Sequence, residues 1–228
     1  MLRVEALDGE PVIELLPAPA LDSATQRTVD AIWEREQQSR ARALFDGRLL
    51  SLIARDGRNL RGCLVDYRRF IAQRRAPALF PLLRVRPVAV SGLLMCGDSV
   101  VFGRRSAATT QDGGRWELVP SGGIGDSARD PRGQLLQELA EETGIPTAAV
   151  NEIVVFALIE DEGAHTTDIG YALRTALSAA EIARLHKEAA SGEYDRIEIV
   201  AADALPGFVA AQDVIAVSRA LLRERRLA

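Results

Sequence analysis

An α/β or α+β domain is the fold class this sequence predicts, on three observations. Apolar runs of strand length recur along the chain, helical patterns alternate with them, and one short helix is marked at both of its ends. At 228 residues, 47% hydrophobic, the chain is long enough for one substantial core, or for one domain with a sizeable extension. The elements follow in order. RVEAL and PVIELL read as short strands, Ser23 begins a helical pattern that runs to about Arg42, and RLLSLIARDG with LRGCLVDY reads as a hairpin. A second helix covers Tyr67 to Arg75, after which Pro77, Pro81 and Pro87 punctuate a connector. These first 84 residues are expected to form an N-terminal extension, and residues 85–228 the main domain.

From Val85 the text changes to RVRPVAVSGLLMC, a turn at Gly97-Asp98, and SVVFGRRS, a long strand hairpin that would supply a sheet. Further on, EIVVFALIEDEG and TTDIGYALRTAL read as two strands with a turn between. Residues 178–189 form a helix, IEIVA a strand, and residues 211–226 a closing amphipathic helix.

Composition excludes several classes. A net charge of -4 argues against a dedicated nucleic-acid binder. Cys63 and Cys96 make neither a disulfide framework nor a zinc spacing. The N-terminal MLRVEALDGE carries charges among its apolar residues, unlike a signal peptide, and no run of about 18 apolar residues could span a bilayer. A cytoplasmic protein is expected.

The most informative stretch is residues 123–145, GIGDSARDPRGQLLQELAEETGI. Asp130 before Pro131 is a helix start, because the aspartate accepts an orphan backbone N–H and proline at the first helical position wastes no donor. Gly144 and Pro146 end the helix. Leu135, Leu136, Leu139 and Ala140 form an apolar stripe, so that side should pack on a sheet. Glu138, Glu141 and Glu142 project elsewhere at i, i+3 and i+4. Like charges at that spacing repel, and acids in a last turn oppose the helix dipole. A bound divalent cation would reverse both penalties.

These residues resemble the box of the Nudix hydrolases, G-x5-E-x7-R-E-U-x-E-E-x-G-U with U a bulky aliphatic. Gly123 matches the opening glycine, Glu138-Leu139 the Glu-aliphatic pair, Glu141-Glu142 the paired acids and Gly144-Ile145 the close. Arg129 stands where the family has its first glutamate, and Gln137 where it has the arginine that orients the next glutamate. The resemblance implies an α/β/α sandwich on a mixed sheet, with the N-terminal α+β extension added to it. It also implies Mg²⁺, with Mn²⁺ as an alternative, and hydrolysis of a diphosphate linkage. Carried onto this sequence, it makes Glu138 and Glu142 the principal metal ligands, Glu141 a further one and the Gly123 carbonyl a backbone ligand. The general base in this family lies on a box glutamate or on a later acid. Glu138 ranks first and Glu193 second, with Glu160, Asp161 and Glu162 also candidates.

Outside the box, Arg104 and Arg105 end a strand expected to run toward the site, where a guanidinium fork suits phosphate oxygens; the alternative is a solubilising edge. Trp116 could stack on a base or be a half-buried core residue. His165, in a turn, is a weaker candidate, and His186 is expected on a helix surface. SGGIGD lacks the third glycine of a dinucleotide fingerprint and has no Gly-Lys-Ser/Thr, so it is neither Rossmann nor P-loop.

Trp33, LFDG at 44–47, DYRRF at 66–70 and VVFGRRS before a glycine loop are similar in order to the UDP-sugar diphosphatase branch, which implies cleavage to UMP and a sugar 1-phosphate. WELVPSGG is also similar to ADP-ribose and ADP-sugar pyrophosphatases, and the Arg-Ser before it to coenzyme A diphosphatases. A nucleotide-derived small molecule is the expected partner, with no nucleic acid and no membrane; a homodimer stays open. Because Arg129 and Gln137 replace two charged box positions, a nucleotide-binding sensor without catalysis is the competing reading.

Overall fold

A computed structural model describes residues 1–39, 44–109 and 111–227. The chain runs β1 (Leu2–Ala6), β2 (Val12–Leu15), α1 (Ser23–Gln38), β3 (Arg48–Asp56), β4 (Asn59–Asp66), α2 (Tyr67–Arg75) and the single turn α3 (Phe80–Leu83). Then come β5 (Val88–Cys96), β6 (Ser99–Arg105), β7 (Trp116–Leu118), β8 (Ser121–Gly123) and α4 (Pro131–Thr143). The remainder is β9 (Val150–Asp161), β10 (Thr166–Thr175), α5 (Ala179–Ala189), β11 (Tyr194–Ala201), α6 (Leu205–Ala211) and α7 (Ala216–Glu224).

The large sheet is ordered β1-β9-β10-β5-β6-β11, with β8 added on β5 and β7 on β6. It is mixed because β10 runs parallel to β5, while the other pairs are antiparallel. A second sheet, β2-β4-β3, lies against it, and the Leu50 N–H donates to the Ile124 carbonyl across the junction at 2.7 Å. The first 84 residues thus contribute to both sheets, since β1 pairs with β9.

Period two in the strands divides the core between the faces of the large sheet. Val88, Val90, Leu94 and Val101 point to one side, where they meet Leu135 and Leu139 of α4, Ile182 of α5 and Leu50, Leu52 and Leu60 of the small sheet. Leu93, Val100, Phe102, Trp116 and Leu118 point to the other, against Leu205 of α6 and Leu221 and Leu222 of α7. This is the expected sandwich, with helices on both faces of a mixed sheet.

Several elements differ from the sequence reading, each for a physical reason. The arms of the β5–β6 hairpin part after the pairs Met95–Val100 and Cys96–Ser99, because β8 takes the next edge of β5 and β7 that of β6. The proline connector holds a 3₁₀ turn at Pro77–Leu79 and α3 rather than plain coil. The closing helix begins at Ala216 rather than 211. Trp116 donates its N–H to Asp213 and accepts from Ile215, pulling residues 213–215 into an extended bridge beside β7. The expected last turn of α1, Arg40 to Arg42, falls outside the described residues; Gln38 ends the helix before it.

No helix among the described residues is long and apolar enough to cross a membrane. Leu139, fully buried between α4 and the sheet, tests the packing of the box helix. Leu139→Ala should lower unfolding free energy by about 2–5 kcal/mol, read as the shift in a urea transition. A change below about 1 kcal/mol would mean that α4 is not seated as described.

Candidate active site

The helix ends are built as their residues require. The Asp130 carboxylate accepts from the Gly133 N–H at 2.9 Å, Pro131 occupies the first turn, and Gly144 closes the helix with φ +74°. A Cβ on Gly144 would lie 2.7 Å from the Leu185 carbonyl of α5, so both the left-handed backbone and the close helix contact favour glycine there.

The three box acids do not share one environment, contrary to the expectation of a single projecting face. Glu141 is exposed and accepts from the Gln137 amide at 2.8 Å. Glu138 is half-buried and accepts from the Gln134 amide at 2.6 Å. Glu142 is turned inward, 5% exposed, beneath the start of the glycine loop. Its Oε2 accepts from the Ser121 N–H at 3.1 Å and lies 3.2 Å from the Tyr194 hydroxyl. The difference follows from which side of α4 is covered, since Leu135, Leu139 and Glu142 are buried on it. Position 142 falls beside the apolar stripe and 141 away from it.

Glu117 of β7, which the sequence reading passed over, stands beside this group. It is 2% exposed, and its Oε1 accepts from Arg105 at 2.5 Å and lies 3.0 Å from the Tyr194 hydroxyl. Arg105 also pairs with Glu193 at 2.8 Å. The register accounts for the grouping, since Tyr194 of β11 is opposite Arg105 of β6 and Glu117 of β7 is opposite Gly103. A Cβ on Gly103 would lie 2.6 Å from the Tyr194 ring, so glycine makes the room for it. The signal that could have found Glu117 is a lone charge inside the apolar run WELV.

Burial dominates the electrostatics. It pushes the Glu138 carboxyl up to about 7, the charges of Glu141 and Glu193 adding to the shift and the Gln134 amide opposing it. Glu117 is pushed up to about 7 by burial, against the pull of Arg105 and Tyr194. Glu142 is raised well above the usual carboxylate range by burial and then by Glu117, Glu138 and Glu193. Arg105 resists its own burial because Glu117 and Glu193 hold its charge.

Glu117, Glu138, Glu142 and Glu193 therefore share one field, and Arg105 is the guanidinium set against them. Among the described residues no three His, Cys, Asp or Glu side chains stand converged on a metal position. The box acids are held instead by Gln134, Gln137, Ser121 and Tyr194. The donor set itself fits a hard divalent cation: all its ligating atoms are carboxyl or backbone oxygens, and four carboxyl groups gather about one guanidinium. The glycine beside the helix that meets Glu138 is Gly122, where a Cβ would lie 2.2 Å from the carboxylate. At Gly123 a Cβ would meet nothing within 4 Å.

The other sequence candidates separate. Arg105 is in the group but is tied to Glu117 and Glu193 rather than free for phosphate. Arg104 and Trp116 point to the opposite face of the sheet, as alternation along β6 and β7 demands. There they line a hollow of about 550 Å³ with Arg196 and Phe208. Trp116 is 7% exposed and edge-on to Phe208, a core residue rather than an open stacking platform. Glu160 is paired with Arg55, Glu162 with Arg3, and Asp161 accepts from the Gly163 and Ala164 N–H groups. His165 stacks on Phe80 with ring centroids 3.7 Å apart, and His186 is partly buried on α5. Trp33 packs edge-on to Tyr67, while Arg68 bonds Asp46 and Asp30. These residues, which carry the likeness to the UDP-sugar branch, tie α1, the 44–47 loop and α2 together.

No protein-family model and no curated protein matches the sequence. The fold is similar to that of solved structures. DR0079 from Deinococcus radiodurans superposes with a TM-score of 0.53 at 15% identity, covering 79% of this chain and 98% of that one. A MutT protein from Methanosarcina mazei Go1 gives 0.45 at 20% identity over 61% and 93%. The Nudix domain of Shewanella oneidensis NrtR, crystallised with ADP ribose, gives 0.46 at 17% over 62% and 87%. At these identities the likeness is one of fold alone.

The raised carboxyls fix a pH dependence for the metal-free protein. Glu117 and Glu138 take up protons more readily folded than unfolded, where the ordinary value is 4.5. The stability they contribute is fully present below that value and is lost as pH rises through about 7. With EDTA present, the melting temperature should fall between about pH 5 and pH 7.5, and saturating Mg²⁺ should shrink the fall. A flat profile in EDTA would contradict the burial of these groups.

Proposed function

From the resemblance of residues 123–145 to the Nudix box, we propose that the chain hydrolyses the diphosphate linkage of a nucleoside diphosphate joined to a second moiety. The observation that carries this reading is the gathering of Glu138, Glu142 and Glu193 in one field beside the glycine strand β8. Glu138, Glu142 and Glu141, with the backbone carbonyl of Gly123 at the end of β8, would hold Mg²⁺ or Mn²⁺. When bound, such an ion lowers the pKa of a water and neutralises phosphate oxygens. Glu138 is the first choice as proton acceptor, on its place in the box beside the glycine strand. Glu193, held by Arg105 at the rim, is the second.

In this reading Gln134 takes the part that the family's arginine plays. Its amide donates to Glu138 one helical turn away and its oxygen accepts from the Ser127 hydroxyl, while Gln137 serves Glu141. Among substrates a UDP-sugar, split to UMP and a sugar 1-phosphate, is the proposed choice on the order of motifs around Trp33, LFDG and DYRRF. ADP-ribose, ADP-sugars and coenzyme A are the alternatives. A second reading, a nucleotide-binding module without turnover, is favoured by Glu141 being engaged with Gln137 and by the box acids not standing converged.

The deciding experiment incubates the protein with Mg²⁺ and a panel of UDP-sugars, ADP-ribose, coenzyme A and nucleoside triphosphates. On the best substrate, Glu138→Gln should lower turnover at least a hundredfold, about 3 kcal/mol of transition-state stabilisation, with the circular dichroism spectrum unchanged. Equal rates would remove Glu138 from the mechanism, and no turnover by the unaltered chain on any panel member would leave the binding module. The glutamines separate in the same assay. Gln134→Ala should lower turnover about tenfold or more and Gln137→Ala by less than about threefold; the reverse order would return the orienting part to Gln137.

A further inference from the structure

Tyr194 is buried, its ring against the bare backbone of Gly103 and its hydroxyl between two carboxyl groups, Glu117 Oε1 at 3.0 Å and Glu142 Oε2 at 3.2 Å. A phenol has one hydrogen to give and here two acceptors to choose from. The acceptors are not equally in need. Glu117 Oε1 already receives a charge-assisted bond from the Arg105 guanidinium, whereas the Glu142 carboxylate has the Ser121 N–H and no charged donor. The better-satisfied partner can release the phenol hydrogen and still accept from arginine. The Glu117–Arg105 pair, itself anchored to Glu193, then acts as a seat for Tyr194.

We propose that Tyr194 is a positioning residue that holds the Glu142 carboxylate in the orientation in which it binds a divalent cation. The inference rests on the reading of Glu142 as a metal ligand and adds a part of the site that lies outside the box. The geometry is specific to this residue. Ser121 N–H and Tyr194 O–H approach the same oxygen, Oε2, which leaves Oε1 as the oxygen to face a cation. Partners of this kind fix a carboxylate's rotamer before the ion arrives, and losing one weakens metal affinity by about 10- to 100-fold.

The test is direct Mn²⁺ binding, followed by the free-ion electron paramagnetic resonance signal, on the unaltered chain, Tyr194→Phe and Tyr171→Phe. Phe at 194 keeps the ring and its contact with Gly103 and deletes only the hydroxyl. Tyr171 is a control, also enclosed, whose hydroxyl donates to Glu10 at 2.8 Å. Tyr194→Phe should raise the Mn²⁺ dissociation constant tenfold or more, and Tyr171→Phe should leave it within about twofold. Equal affinity for Tyr194→Phe and the unaltered chain, or an equal loss in Tyr171→Phe, would overturn the proposal and leave the metal reading standing. Failure of the unaltered chain to bind Mn²⁺ would overturn both, so the two failures are distinguishable. A measurement that needs no change at 194 stands beside it. With ¹³Cζ-labelled tyrosine the chain gives three signals, and that of Tyr194, assigned by difference from Tyr67→Phe and Tyr171→Phe, should move on Mg²⁺ addition. An unmoved Tyr194 signal in a Mg²⁺-bound protein would equally overturn the proposal.

Discussion

Burying the carboxylate of Glu142 is the constraint around which this end of the molecule is arranged. A carboxyl group with 5% exposure is costly to bury unless hydrogen-bond partners reach it. The donors come from three directions in the sequence: the N–H of Ser121 in the glycine strand, the hydroxyl of Tyr194 at the start of β11 and, one step removed, Arg105 at the end of β6 through Glu117. The first two contacts tie α4 to β8 and to β11, and the third ties β6 to β7. The same close approaches explain two glycines, because a side chain at 122 would strike Glu138 and one at 103 would strike Tyr194.

Alternation along β6 and β7 lets two short strands serve two purposes. Arg105 and Glu117 face the box helix and enter the polar network, while their neighbours Arg104 and Trp116 face α6 and close the second apolar core. A one-residue slip in either strand would exchange these sets and bury the wrong one. The bulge between Tyr194 and Arg196 in β11 keeps the tyrosine opposite Arg105 while the following strand pairs with β6 in regular antiparallel register.

The departures from the family box have a local physical account. On a helix the residue four positions before a glutamate faces it, whereas a sequence neighbour does not, and here Gln134 fills that place. The amide brings a donor without a charge, which leaves the Glu138 carboxyl raised to about 7 rather than drawn down by an arginine. Gln137, adjacent to Glu138 in sequence, faces the exposed side and meets Glu141.

The sequence by itself determined what depends on local chemistry. The limits of α4 follow from Asp130, Pro131 and Gly144, the α2 helix from Tyr67 to Arg75 was legible to the residue, and the alternating runs of β3, β4, β9 and β10 announced their strands. The three glutamates were legible too as a cluster on one short helix. What only the tertiary structure decided are the relations between distant segments. Period and spacing say that 138, 141 and 142 lie near one another on a helix, but which of them is buried depends on what the helix packs against. Glu117 and Tyr194, 77 residues apart, share a hydrogen bond because β7 and β11 flank β6. The three-residue strands β7 and β8 carry too few residues to show a period, and α6 begins on Leu205-Pro206 in a segment whose apolar side exists only once Phe208 meets Trp116. Strand pairing order is a non-local choice, made by burial across the whole sheet rather than by any residue's own preference.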